Sequence, residues 1–358
     1  MKKRILVTAI VIFLIVAVRI LARFTGLVEG IYVENIYKKV VPILSRATGV
    51  FPFSLAEILI ILLVLWLVSG LIAGVGRKGR KTTNGPLTGV LTLITVVGLL
   101  YLAFMGLWGL NYYRLGFAEM AGLDTSNVTT EELQGLGQSL VDQANQLRSE
   151  LEEDDDGVMR LGNRQAVLDQ AVAGYDVLAA RYPQLGGQYG RPKGLTLSAV
   201  ISYTGMYGFY IPFTGEANIN TSIPDALLPF SACHEMAHQR GIAREGEANF
   251  VGYLSCMMNP HRDFQYSGTL LALTYVLNAV NGRDQEMFID LRDQLTPGVI
   301  RDLQDISEFG ERHRGPWSRI SNWINDVYLK ANSQSAGTRS YSGIVELLIA
   351  LNRAPLTE

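Results

Sequence analysis

The run from Ile58 to Gly76 holds 19 residues without a charged side chain, close to the roughly 20 that a helix needs to cross a bilayer core. Inside lipid only a helix or a closed barrel satisfies its own backbone, so this stretch commits the chain to a membrane-spanning helix. Two further apolar stretches flank it: Ile5 to Ala22, broken by Arg19 and preceded by the basic Met1-Lys2-Lys3-Arg4, and Leu87 to Leu110. The first has the charged start and apolar core of a signal peptide, but no small-x-small cleavage site follows, so it reads as an uncleaved span. Arg77-Lys78-Gly79-Arg80-Lys81, between the second and third stretches, is a compact basic loop of the kind retained in the cytoplasm. Three spans (about 5–22, 58–76 and 87–110) then place the N-terminus inside and everything after Asn111 outside. The expectation is a multi-pass protein of the cell membrane, with 1–110 as its membrane region and 111–358 as an extracytoplasmic domain. Trp108, Tyr112 and Tyr113 suit an aromatic belt at the outer interface, and Phe51-Pro52-Phe53 reads either as a second interfacial contact or as a simple loop.

Composition agrees with membrane segments and narrows the partners. Hydrophobic residues make up 48% of 358, high for a purely soluble chain. A net charge of -2, with no basic face and no aromatic residues interleaved with basic ones, argues against nucleic acid. Two cysteines, Cys233 and Cys256, cannot form a disulfide framework. They fall on neighbouring predicted helices, and buried free thiols are favoured over a single disulfide.

Beyond Asn111 the most informative segment is Cys233-His234-Glu235-Met236-Ala237-His238-Gln239-Arg240-Gly241. Its HExxH pattern sets two histidines four residues apart on one helix face, where both can hold one metal ion, with Glu235 directed at the ion's open side. A hydrolytic zinc site takes three protein ligands and leaves one position for water. Gly241 is placed to end the helix and reverse the chain, so that Glu245 opens a second helix facing the first and supplies the third ligand. Asn249 lies one turn beyond Glu245 and is expected to orient a ligand. Glu247 is the rival ligand; it points about 200° around the helix from Glu245, so the two cannot face one ion together. Phe230, Ala232, Cys233, Met236 and Ala237 make the rest of the first helix apolar. Burying two imidazoles and a carboxylate there without partners would be unfavourable.

The remaining domain reads as mostly helical α+β. Thr129 with Glu132 forms a capping box ahead of leucines at helical spacing, and a second amphipathic helix runs from about Arg164 to Tyr182. The acidic run Glu152 to Asp156 reads as a solvated loop ended by Gly157. Gly186 to Asn220 carries aromatic and β-branched residues between glycines and prolines, which suggests a small β element beside the HExxH helix. Ala217-Asn218-Ile219-Asn220 is the expected strand with an edge for an extended peptide, Asn218 and Asn220 being candidate substrate contacts; capping of a turn before Pro224 is an equal alternative. Further helices are predicted around Gln265 to Asn281, Asp284 to Gln294, Trp317 to Lys330 and Tyr341 to Arg353. His313 is a surface residue or a donor to an oxyanion, as is His261 beside Pro260.

HExxH followed by E-x-x-A-N resembles the gluzincin metallopeptidases, in which the first glutamate of the second motif is the third zinc ligand. Phe213-Thr214-Gly215-Glu216-Ala217-Asn218, the block from Cys233 to Asn249 and then Phe250-Val251-Gly252-Tyr253-Leu254 are similar to an uncharacterised bacterial family of membrane proteins with a zinc-peptidase-like domain. Val50-Phe51-Pro52-Phe53-Ser54 and Ser340-Tyr341-Ser342 extend that likeness over most of the chain. The resemblance implies a zincin-like domain and makes Tyr341 another candidate oxyanion contact; it implies no substrate. The resulting expectation is a membrane-anchored Zn2+ metallopeptidase cleaving a protein or peptide, with Glu235 as general base. Two other readings stand beside it: a zinc amidase or esterase acting on a cell-envelope component, and a non-catalytic zinc-stabilised sensor or assembly module.

Overall fold

A computed structural model describes residues 1–76, 85–332 and 334–354, with backbone alone for 71–76. The predicted basic loop at 77–81 lies outside the described residues. Helix α1 (Lys2–Leu21) leads into a π-helical stretch (Val28–Tyr37) and α2 (Lys38–Gly49). Then come the apolar helices α3 (Leu55–Gly76) and α4 (Pro86–Leu107). Helices α1 and α4 are each long and apolar enough to cross a membrane. The described side chains of α3 from Ile58 to Val68 are also exposed and apolar.

Helices α1 and α4 pack in parallel. Arg4 meets Thr92, the Thr8 and Thr95 hydroxyls are 2.8 Å apart, and Arg19 donates to the Tyr113 hydroxyl at 2.7 Å. Contact is closest at Gly98, where any side chain would overlap Val11. A small residue at that point lets the two apolar helices approach closely.

The rest of the chain forms a helical domain around a three-stranded sheet. Helices α5 (Thr130–Arg148), α6 (Arg164–Arg181), α7 (Leu228–Gln239), α8 (Glu245–Met258) and α9 (Arg262–Asn281) surround a continuous apolar core. They are followed by α10 (Gln285–Asp293), α11 (Pro297–Arg312), α12 (Pro316–Ala331) and α13 (Ile344–Arg353). The Thr129–Glu132 capping box forms in both directions at the start of α5. Helix α11 is not among the segments expected from sequence, although Pro297 at its first turn is a start signal. Helix α13 begins at Ile344; Tyr341 lies in the 3-10 turn before it.

Strands β1 (Lys193–Gly194), β2 (Gly208–Ile211) and β3 (Glu216–Ile219) lie in the order β1-β3-β2, with β1 parallel and β2 antiparallel to β3. This corrects one expectation. The strand containing Ala217, Asn218 and Ile219 is central, paired on both sides, and offers no edge to a peptide. The strand whose residues border the open cleft is β2.

Residues 28–57 pack into the domain and do not form a free membrane loop. Tyr37 donates to the carbonyls at the end of α7, and Gln239 of α7 donates to Ser45 Oγ at 2.7 Å. The start of α3 is tied to the sheet: Glu216 of β3 accepts from the Leu55 and Ala56 amides at 3.2 and 2.8 Å, capping free N–H groups of this apolar helix. Glu57 in turn accepts from the amides of Thr196 and Leu197 at 3.0 and 2.7 Å.

Candidate metal centre

Helix α7 is buried along nearly its whole length, so its polar side chains need defined partners. Pro229 stands in its first turn, where the missing amide is harmless. Gly241 closes it with φ +84°, and the amides of Gly241 and Ile242 return to the carbonyls of His238 and Ala237 at 2.8 and 3.1 Å. That left-handed cap turns the chain, and α8 begins at Glu245. Gly252 of α8 lies against the His234 backbone, where an added Cβ would meet the amide nitrogen at 3.2 Å. The close crossing brings Glu245 beneath the two histidines.

The result is a three-residue cluster. Glu245 Oε2 stands 3.4 Å from His234 Nε2 and 3.4 Å from His238 Nε2, and the three donor atoms lie within 4.8 Å of one another. Two ligands each about 2.1 Å from a tetrahedral ion would stand roughly 3.4 Å apart. The imidazole planes are nearly perpendicular, at 89°. His238 Nδ1 lies 2.7 Å from the Ile242 carbonyl, which keeps a proton on Nδ1 and turns Nε2 toward the cluster. His234 Nδ1, Glu235 Oε2 and Glu245 Oε2 are buried with no protein hydrogen-bond partner. Unpaired polar atoms grouped in this way fit a site built for a cation.

The electrostatics match. Burial by itself would push the Glu245 carboxyl up, but the adjacent His238 and His234 outweigh it and hold the group well below the usual carboxylate range. Burial likewise disfavours charged His238, yet Glu245 and Glu235 raise it to about 9. Without metal, His238 thus keeps its proton against the Glu245 carboxylate, and a cation taken up by the cluster would displace that proton. Glu235 responds in the opposite direction: burial raises its carboxyl, and the two histidines offset this only in part.

Two features around the cluster have no motif in the sequence. Strand β2 runs so close to Glu235 that a Cβ on Gly208 would lie 2.7 Å from Glu235 Cγ. Only glycine leaves room there for the carboxylate, and the one visible cue is a glycine between Tyr207 and Phe209 in a strand-like segment. Trp108 is not part of an exposed belt. It is 4% exposed and stacks edge-on against His238 with ring centroids 5.7 Å apart, and Tyr112 is buried beside it. The domain folds back over the end of α4 and covers both rings.

The cluster opens into a cleft of about 1530 Å³ that takes in His234, Glu235, His238, Glu245, Asn249 and Tyr341. The Asn249 amide donates to the Tyr341 carbonyl at 3.0 Å and the Tyr275 hydroxyl at 3.3 Å, so it holds the tyrosine segment and not a donor of the cluster. The Tyr341 hydroxyl accepts from Asn325 at 3.3 Å; burial, then the nearby Glu245, raises its pKa. Glu247 points away, paired with Arg244 at 3.0 Å and accepting from the Phe117 amide at 3.1 Å. Asn218 and Asn220 do not face the cleft. Asn218 accepts from Ser54 at 2.6 Å, and Asn220 donates to Ser202 and the Met206 carbonyl, so both are fully committed within the sheet and its turns. His313 is held by the Phe309 carbonyl and stacks on Phe309 and Tyr203, outside the cleft lining. Cys233 and Cys256 are free and buried.

Neither a curated protein nor a solved structure matches the chain. Residues 32–349 match a single family along almost the whole length, from the π-helical stretch to α13. On that match the chain belongs to the family described as a protein of unknown function, DUF3810.

Proposed function

We propose that the chain is a membrane-anchored zinc metallopeptidase whose active site is the cluster at the base of the cleft. The observation that carries this reading is Glu245 Oε2 standing 3.4 Å from both imidazole Nε2 atoms, with Glu235 buried alongside. His234, His238 and Glu245 would hold the ion through two nitrogens and one carboxylate, the donor set of catalytic zinc. When bound, such an ion supplies Lewis-acid activation of water and of a substrate carbonyl. Glu235 takes the proton of the attacking water and returns it to the leaving amine. Tyr341, the cleft tyrosine next to Glu245 and Glu235, is the candidate donor to the developing oxyanion.

A peptide substrate is favoured over another acyl compound by the edge of β2. The Asn220 amide donates to the Tyr207 carbonyl. With Phe209 opposite Asn218, the alternation of an antiparallel ladder leaves the amides and carbonyls of Gly208 and Tyr210 on the side away from β3. An extended peptide can pair with that edge, as in other strand-addition complexes. A purely structural zinc site is disfavoured, because tying two helices together requires neither Glu235 nor a large cleft.

The parallel packing of α1 and α4 supports an odd number of crossings, with the domain on the side opposite the N-terminus. In phospholipid vesicles the full-length Glu235→Gln protein is expected to retain its zinc while hydrolysis of an unstructured test protein falls by about 10²–10⁴-fold. Undiminished turnover with zinc in place would remove Glu235 from the mechanism.

A further inference from the structure

Helix α12 shows its apolar face to the outside. Ser318 and Leu329 are buried against the domain, while Trp317, Ile320, Trp323, Ile324 and Val327 are exposed by 69, 49, 66, 54 and 47%. At about 100° per residue these five side chains cluster on the side opposite Ser318 and Leu329, with Arg319 and Lys330 along one border. A helix on a water-facing surface has the reverse arrangement, and an outward patch of this kind marks a contact surface.

Two tethers fix where that face lies. Tyr328, at the end of α12, packs on Phe104 of α4 with centroids 6.3 Å apart and shares a 3.0 Å hydrogen bond with Tyr112, just past the end of α4. Across the cleft, Leu197 and Val200 are exposed by 41 and 61%, and this segment is bonded through Thr196 and Leu197 to Glu57 in the first turn of α3. Both walls of the cleft mouth are therefore attached to the ends of apolar helices on one side of the membrane region. Val200, Trp317, Ile320 and Ile324 line that mouth.

We propose that α12 and the 197–200 segment lie in the headgroup layer of the bilayer that α1, α3 and α4 span, so that the cleft opens at lipid level. Tryptophans and branched aliphatic residues on one face, with basic residues at its border, are the composition of an interfacial helix, and continuity with the spanning helices identifies the bilayer as its occupant. Resting on the proposed peptidase reading, the substrate class is a polypeptide held at the membrane surface by its own anchor, which enters the cleft as it leaves the lipid.

The test uses the full chain in vesicles of phosphatidylcholine with phosphatidylglycerol and a fluorophore at Trp323→Cys or Val327→Cys. The native cysteines are buried and remain unlabelled. Reference labels are placed at Leu63→Cys on α3 and at Gln134→Cys on the exposed surface of α5. Quenchers attached to the upper acyl chain should quench the α12 labels several-fold more than the Gln134 label. Quenching no greater than at Gln134 overturns the proposal. Protection from water without lipid quenching also overturns it and assigns the face to a second copy of the chain. The readout needs no activity, so it stands apart from the Glu235→Gln experiment. In a second arm, a test peptide bearing a lipid anchor should be cleaved several-fold faster than the same peptide free in solution; equal rates would refute the substrate class alone.

Discussion

Glu235 is held in place from two directions: by its own helix, between the two histidines, and by the backbone of β2 at Gly208. The second contact makes a specific prediction. In Gly208→Ala the new methyl group would lie 2.7 Å from Glu235 Cγ and 2.9 Å from the Asn218 carbonyl. Both contacts are too short to persist, so the Glu235 side chain must be displaced and the β2–β3 pairing must adjust locally. Catalytic misplacement on the order of 1 Å can reduce turnover by about 10²-fold, so kcat should fall by that order while zinc content stays constant. Full activity would show that the position of Glu235 against β2 is immaterial. At this scale the sequence was informative wherever chemistry follows helical spacing: His234, Glu235 and His238 repeat along one face, and Gly241 announces the reversal that brings in Glu245. Asn249 was legible as a residue one turn from Glu245, but its actual partner, the Tyr341 carbonyl, comes from a turn 92 residues away. Gly208 and Trp108 were not legible, because their contacts with Glu235 and His238 come from tertiary packing and leave no periodic trace.

Among the elements, the joint between α3 and the sheet is the least expected. Glu216 caps the amides of an apolar helix and also pairs with Lys193 at 2.6 Å; both side chains are nearly buried. Lys193 is further held by the carbonyls of Thr48 and Phe53 at 2.8 and 2.9 Å. Removing one partner of a buried pair costs about 3–5 kcal/mol, because the other charge stays buried. Glu216→Gln should therefore lower the thermal unfolding midpoint of the detergent-solubilised protein by several degrees, and an unchanged midpoint would mean that the capping is energetically idle. The helices of the domain were legible from the capping box at Thr129 and from apolar spacing. The strand order was not: Ala217, Asn218 and Ile219 read as a strand beside the HExxH helix with a free edge, and only β1, two residues long, makes β3 central. So short a strand has no sequence pattern of its own.

For the whole molecule, the apolar stretches are read directly from composition, since a helix is the form an apolar chain takes in lipid. What composition did not reveal is that residues 28–57 wrap the domain and that Trp108, directly after α4, touches His238. The long apolar helices are thus part of the scaffold of the cluster. With three crossings, a reporter enzyme fused after Glu358 should be active only when it functions outside the cytoplasm; activity of a cytoplasm-only reporter would invert the arrangement.

Whether His234, His238 and Glu245 together hold one cation is read from the zinc content of the purified protein and of two single variants. Close to one zinc ion per chain is expected in the parent and in Glu247→Ala, whose carboxylate is paired with Arg244, and a loss of most of it in Glu245→Ala. A parent without zinc, or equal retention in both variants, would contradict this assignment.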